Sequence, residues 1–66
     1  MPLIQIALGD GRSPEQIRNL IEGVTEVAIK EANAPREAVT VIVTEVPADK
    51  WATGNVTLQE KRAAAK

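Results

Sequence analysis

The chain offers few side chains for acid–base or nucleophilic chemistry. Its 66 residues include no histidine and no cysteine, so the usual general base, the thiol nucleophile and the soft metal ligands are all missing. Gly9-Asp10-Gly11 is typical of a turn and lacks the pattern of a phosphate-binding loop. The carboxylates are scattered, with no paired spacing that suggests shared acid–base work. An enzyme built on this sequence therefore needs an unusual base.

Pro2 is the candidate for that base. Methionine aminopeptidase generally removes an initiator Met that precedes proline, and loss of Met1 would leave Pro2 with a free secondary amine. An α-amino group has a pKa of about 7.7–8.0, which burial and nearby cations would lower toward neutrality, where a general base works well. The alternative is that Pro2 is merely tolerated at the start of a strand. Pro2 taken alone favours this plainer interpretation.

The elements that must position Pro2 form an α/β (α+β) pattern. Residues 2–8 predict a strand that is apolar on nearly both faces, and residues 38–46 predict a second strand rich in β-branched residues. Between them Ser13-Pro14 and Gln16 form a capping box that starts a long amphipathic helix, which ends at Asn33 and Pro35. A strand, a helix and a strand in this order predict a parallel pair with a right-handed crossover.

The carboxyl-terminal part reads as a small hairpin followed by a tail. Gly54-Asn55 predicts a turn between two short arms, Trp51 to Thr53 and Val56 to Leu58. Since a lone hairpin of this size is marginal in water, we expect it to dock on a neighbouring subunit. The tail from residue 59 is polar and alanine-rich, so it is either a frayed helix or disordered.

Size and composition indicate one domain over residues 1–66 that associates with copies of itself. A chain this short, without cysteine but with 44% hydrophobic residues, buries too little apolar surface alone. The net charge of −1 and the single aromatic residue, Trp51, argue against a nucleic-acid partner. No apolar run is long enough to span a membrane and the first residues make a poor signal peptide, so we expect a cytoplasmic protein.

The order of these features resembles the 4-oxalocrotonate tautomerase family, the amino-terminal-proline group of the tautomerase superfamily. The resemblance runs without a gap over residues 2–58, through the segments PLIQIAL at the start, GRS at 11–13, EQ at 15–16, AP at 34–35, VTVIVTE at 39–45 and WATG at 51–54. It implies a β-α-β protomer with a carboxyl-terminal hairpin, assembled as a homohexamer that is a trimer of dimers. It also implies a cofactor-independent isomerase of the catabolism of aromatic compounds.

The resemblance assigns a role to each candidate site residue. Pro2 matches the catalytic base, Arg12 matches the arginine that binds a substrate carboxylate, and Trp51 matches the aromatic wall of the site. Thr40 falls where the family has a second arginine that stabilises the dienolate, and Arg36 is the side chain that could replace it from a neighbouring subunit. Without the resemblance, Arg12 would be read as a solvated loop arginine and Trp51 as an interface anchor, a role compatible with lining the site.

The implied reaction is an enol–keto proton transfer on a 2-hydroxydienoate or related 2-oxo acid. Two alternatives remain open at this point. Pro2 could instead serve a hydratase, a decarboxylase or a condensation through an iminium, since a secondary amine is also a nucleophile. The chain could also be a non-catalytic assembly subunit, which the departure at Thr40 favours. Thr53, where related dehalogenases carry a glutamate, argues against dehalogenation.

Overall fold

Two parallel strands joined by a long helix form the main body of the protein. The computed structural model describes residues 2–65. Strand β1 (Leu3–Gly9) pairs in parallel with β2 (Thr40–Val46), and helix α1 (Pro14–Glu31) connects them. The predicted β-α-β unit is therefore confirmed. Because the strands are parallel, their amino ends lie together at one end of the sheet and their carboxyl ends lie together at the other.

Strand β2 begins later than the sequence predicted. Arg36–Ala38 forms a single 3-10 turn that uses backbone groups expected to join the sheet. The N–H of Ala38 donates to the carbonyl of Pro35 at 2.9 Å, and the N–H of Val39 donates to that of Arg36 at 3.2 Å. The predicted start at residue 38 is therefore wrong by two residues.

Helix α1 starts and ends where its signals predicted. The Gln16 N–H donates to the Ser13 hydroxyl at 3.1 Å, and the Ser13 N–H donates to the Gln16 side-chain oxygen at 2.9 Å. Pro14 occupies the first helical position, where its missing N–H costs nothing. Beyond Glu31, Asn33 adopts a left-handed φ of 53° that ends the helical path.

The carboxyl-terminal segment forms a hairpin and a second helix. Strands β3 (Ala52–Thr53) and β4 (Val56–Thr57) pair antiparallel around the predicted turn, in which Gly54 and Asn55 have φ values of 61° and 65°. Two positive φ values in a two-residue loop suit the twist of a hairpin. Helix α2 (Leu58–Ala64) follows directly.

Helix α2 resolves the open question about the tail in favour of a helix. Thr57 caps it through a capping box: the Glu60 N–H donates to the Thr57 hydroxyl at 3.1 Å, and the Thr57 N–H donates to the Glu60 carboxylate at 2.8 Å. The backbone hydrogen bond from Thr57 lowers the pKa of Glu60 below its usual value. None of the helices formed by residues 2–65 combines the length and the apolar character needed to cross a bilayer.

The protomer has almost no interior of its own. Among residues 2–65 the only buried hydrophobic side chains are Ala28 and Ala34, while Leu3 and Ile42 on the sheet face away from α1 are 56% and 44% exposed. The accessible surface of 5018 Å² exceeds the roughly 4,100 Å² expected for a compact monomer of 7.1 kDa. The radius of gyration of 15.0 Å likewise exceeds the expected value of about 11 Å. The surface and shape are those of a subunit that associates with other copies.

Candidate active site

Pro2 is held at the amino end of the sheet. It immediately precedes β1 and is partly buried. Its carbonyl accepts a hydrogen bond from the Thr40 N–H at 3.0 Å, which extends the strand pairing by one step. The backbone of Pro2 is therefore fixed to a rigid element. The expected removal of Met1 concerns a residue outside the described range 2–65.

Thr40 lies beside Pro2 at the same end of the sheet. It is the first residue of β2, it is paired with Leu3, and it is exposed. Its backbone N–H donates the hydrogen bond to the Pro2 carbonyl. Its side chain lies on the sheet face away from α1, as does that of Ile42. Of the predicted site residues, Thr40 is the one the protomer brings next to Pro2.

Arg36 is near this end in sequence but is turned toward the helix. Its Nη1 lies 2.7 Å from Oε1 of Glu26 on α1, in an exposed ion pair. The hydrogen bond and charge of Glu26 raise the pKa of Arg36 above its usual value. Within the protomer the Arg36 guanidinium is therefore paired with the Glu26 carboxylate. That Arg36 contributes to the site of a neighbouring copy stays a prediction.

Arg12 lies beyond the carboxyl end of β1, in the turn that leads into α1. Its Nη1 donates to the Gly9 carbonyl at 2.9 Å, and the residue is exposed. Gly11, just before it, has a φ of 118°, a conformation that favours glycine. The turn 9–12 thus fixes the direction in which the guanidinium leaves the sheet.

Arg12 opens onto a hollow of about 340 Å³ between the start of α1 and the end of β2. Pro14, Ile17 and Ile21 supply apolar walls, and Arg18 and Glu45 supply charges. The sequence analysis missed both charged residues. Arg18 lies one turn into α1 from Pro14, so helical spacing could have placed it near Arg12. The hollow can accept a carboxylate on an apolar body.

Trp51 lies at the same end of the molecule as Arg12. It follows a short 3-10 turn, Ala48–Lys50, beyond the carboxyl end of β2, and it is partly buried. Its carbonyl accepts a hydrogen bond from the Leu58 N–H at 2.7 Å, and the Leu58 side chain packs against Gly9. Trp51 is thus linked through Leu58 to the turn that carries Arg12.

The predicted site residues therefore separate into two half-sites at opposite ends of the sheet. Pro2 and Thr40 define the amino-end half-site, and Arg12 and Trp51 define the carboxyl-end half-site. The seven residues of β1 between them span roughly 20 Å at about 3.3 Å per residue. One substrate-sized molecule cannot touch Pro2 and Arg12 of the same protomer. Within residues 2–65 no three His, Cys, Asp or Glu side chains are grouped in a way that could hold a metal ion.

Comparison with known proteins identifies a family whose members are similar to this chain over most of its length. Residues 2–61 match the family model described as tautomerase enzyme. The chain is similar to 2-hydroxymuconate tautomerase of Pseudomonas fluorescens, with 43% identity over 54 residues that cover 82% of this chain and 86% of that protein.

Two solved structures extend the similarity to three dimensions. TomN, a 4-oxalocrotonate tautomerase homologue of the tomaymycin biosynthetic pathway, superimposes with a TM-score of 0.92 at 40% identity, covering 98% of this chain and 100% of TomN. The heterohexamer 4-oxalocrotonate tautomerase of Chloroflexus aurantiacus superimposes with a TM-score of 0.87 at 32% identity, covering 91% of this chain and 97% of that one.

Proposed function

Because the chain belongs to the tautomerase family, we propose that it catalyses an enol–keto proton transfer on a 2-hydroxydienoate or related 2-oxo acid, with Pro2 as the base. The family match covers residues 2–61, and a relative with 43% identity is a 2-hydroxymuconate tautomerase. The observation that carries the proposal is the placement of Pro2, partly buried and hydrogen-bonded to Thr40 at 3.0 Å.

Pro2 acts through its ring nitrogen once Met1 has been removed. The secondary amine takes the proton of the substrate's 2-hydroxyl group, and electrons shift along the conjugated system. The resulting ammonium returns the proton to a distant carbon and yields the ketone. An amine that titrates near neutral pH can do both steps, because its neutral and protonated forms are both accessible. The hydrogen bond between Pro2 and Thr40 keeps the nitrogen aimed during the transfer.

Arg12 and Trp51 of one copy complete the site of another copy in this proposal. A twofold axis between two sheets makes their edge strands antiparallel, so the amino end of one protomer lies beside the carboxyl end of its partner. This arrangement brings Pro2 of one copy to Arg12 and Trp51 of the next. In the proposed homohexamer, a trimer of dimers, the dimers associate through the open sheet face, which exposes Leu3 and Ile42.

Each half-site has a distinct task. The Arg12 guanidinium binds the substrate's distal carboxylate through its planar pair of N–H donors. The indole of Trp51 excludes water and keeps the surroundings of the Pro2 nitrogen apolar. The Thr40 hydroxyl or backbone N–H groups donate hydrogen bonds to the developing oxyanion. These neutral donors stabilise the negative charge less than a cation would. We therefore expect slow turnover of 2-hydroxymuconate and faster turnover of a different natural substrate.

Substituting Pro2 tests the proposal directly. Pro2→Ala should lower kcat/KM for 2-hydroxymuconate and phenylenolpyruvate by up to about a hundredfold, because the primary amine left at position 2 is no longer aimed by a ring and well-placed general-base catalysis contributes roughly 10²–10⁴-fold. The change in substrate absorbance with time measures it. A chain carrying an uncleaved amino-terminal tag should lose more activity than Pro2→Ala, because its Pro2 nitrogen is an amide, whereas the variant keeps a primary amine at its terminus. Intact mass identifies the first residue of each sample.

Pro47→Ala is the matched control, since it removes an exposed proline that precedes the 3-10 turn at Ala48–Lys50. It should retain wild-type activity. Full activity of the tagged chain would remove the terminal nitrogen from the mechanism, and full activity of Pro2→Ala would show that the proline ring has no special role.

The neutral Thr40 favours one second candidate function, covalent chemistry at Pro2. Without a cation for the oxyanion, Pro2 could attack a carbonyl carbon and lose water to form an iminium, which is the entry to condensation or decarboxylation. Borohydride treatment in the presence of an aldehyde, followed by mass spectrometry, would then show a stable adduct on Pro2. The absence of an adduct, together with turnover of 2-hydroxymuconate, assigns acid–base use.

A further inference from the structure

Helix α2 is fastened to the turn that carries Arg12. Arg62 donates through Nη2 to the carbonyl of Asp10 at 2.6 Å and through Nη1 to the Asp10 carboxylate at 3.2 Å. One turn earlier on the helix, the Leu58 side chain lies so close to Gly9 that a Cβ at that position would overlap it. Two contacts from one helix thus hold the first two residues of the turn 9–12.

The grip of Arg62 acts on the backbone from which Arg12 projects. The Asp10 N–H already donates to the Val46 carbonyl at 3.0 Å, so Asp10 is held to β2 on one side and to α2 on the other. Arg12 in turn donates to the carbonyl of Gly9, the residue before Asp10. Movement of α2 is therefore passed to Arg12 through only a few backbone bonds.

Arg62 also changes the charge near Arg12. The carboxylate of Asp10 lies two residues from Arg12 and would compete with a substrate carboxylate for that guanidinium. The ion pair with Arg62 gives this carboxylate another cation. Both side chains are 47% exposed, so water screens the pair and the effect on binding is moderate.

We propose that Arg62 is a positioning residue for Arg12, which holds the turn 9–12 through Asp10 and neutralises the Asp10 carboxylate so that Arg12 can bind the substrate's carboxylate. This inference rests on the proposed function, since it takes Arg12 as the carboxylate-binding residue. It assigns α2 a part in substrate recognition without any contact between α2 and the substrate.

Steady-state kinetics with a dicarboxylate and a monocarboxylate substrate tests the proposal. Arg62→Ala should raise KM for 2-hydroxymuconate by about two- to fivefold, as expected for loss of one exposed charged hydrogen-bonded pair, with little change in kcat. KM for phenylenolpyruvate, which lacks the distal carboxylate, should change less. The double variant Asp10→Asn/Arg62→Ala should recover part of the loss, because it removes the competing carboxylate.

Lys61→Ala is the matched control. It removes the same charge from the same turn of α2, next to Arg62, and should leave KM unchanged. The positioning role is overturned if Arg62→Ala leaves KM for 2-hydroxymuconate within twofold of wild type, if Lys61→Ala raises it equally, or if the double variant recovers nothing. Sedimentation of each variant establishes that it remains assembled.

Arg12→Ala separates this proposal from the proposed function. If Arg12→Ala does not raise KM for 2-hydroxymuconate, the role of Arg12 in the proposed function fails. If Arg12→Ala raises KM and Arg62→Ala does not, only the positioning role of Arg62 fails.

Discussion

Thr40 is the residue at which this chain departs from the site that the family resemblance implies, since it stands where an arginine is expected. It is adjacent to Pro2 through a hydrogen bond of 3.0 Å and it is exposed at the start of β2. A hydroxyl there can donate one hydrogen bond but brings no charge to a developing oxyanion. The identity of this residue should therefore decide which substrates the site turns over well.

Thr40→Arg should raise kcat/KM for 2-hydroxymuconate by about tenfold or more, because one well-placed donor to an oxyanion contributes roughly 10²–10³-fold in other enzymes. Initial rates at low substrate concentration measure the change. Thr44→Arg is the control, since Thr44 lies on the same face of β2 but away from Pro2. Equal rates for the two variants would show that position 40 has no special role.

Single residues differ in how far the sequence could predict them. Pro2, Arg12 and Trp51 were assigned by the resemblance, whose motifs are local in the chain. The pair of Arg62 and Asp10 had no such signal, because its partners are 52 residues apart and meet only when α2 docks. Pairs of this kind depend on tertiary structure that a local pattern does not encode.

Among the elements, α2 contacts the turn that carries Arg12. It is only seven residues long, and helices this short are marginal without tertiary contacts and capping. Its stability therefore depends on Thr57 at the amino end and on Leu58 and Arg62 against the turn 9–12. A substitution that weakens the cap of α2 should therefore also loosen the turn 9–12 from which Arg12 projects.

Thr57→Ala should weaken α2 by about 1 kcal/mol, the usual cost of losing a capping hydroxyl. Hydrogen exchange of the α2 amides should accelerate about fivefold, while that of α1 stays unchanged. Thr53→Ala, which removes the same hydroxyl from the exposed strand β3, is the control. If the α2 amides exchange equally fast in both variants, the Thr57 cap does not stabilise the helix.

The elements with a strong hydrophobic periodicity could be predicted from the sequence, and the segments with irregular backbone could not. The apolar stripe of α1 and the Ser13–Gln16 box located that helix, and two β-branched runs located the strands. The 3-10 turn at Arg36–Ala38 depends on backbone bonds that side-chain pattern does not report. For α2, the Thr57 to Glu60 spacing was a usable signal that the alanine-rich tail obscured.

At the scale of the whole molecule, the proposed site needs at least two copies of the chain, because its two half-sites lie at opposite ends of one protomer. The sequence predicted association because so short a chain with 44% hydrophobic residues buries too little apolar surface alone, and the large accessible surface and exposed Leu3 and Ile42 agree with it. Composition alone could not predict that Pro2 and Arg12 lie at opposite ends, since this follows from the parallel pairing of β1 and β2.

Mixed assemblies of two impaired variants should regain activity. When Pro2→Ala and Arg12→Ala chains are unfolded together and refolded in equal amounts, about a quarter of the sites should pair an intact Pro2 with an intact Arg12, since each comes from a different copy. Activity toward 2-hydroxymuconate should return to about that fraction of wild type. Mixing Pro2→Ala with the double variant Pro2→Ala/Arg12→Ala should restore nothing. Native mass spectrometry verifies the mixing, and absence of recovery in verified mixtures contradicts the shared site.

The separation of Pro2 from Arg12 along β1 also bears on how such a protein can evolve. After gene duplication, one daughter gene could keep a sound Pro2 end and lose its Arg12 end, while the other drifted in the opposite way. Each product would be useless alone, yet the two would complement each other in a joint oligomer. Selection would then act on the pair, and proton transfer and substrate recognition could diverge in separate genes.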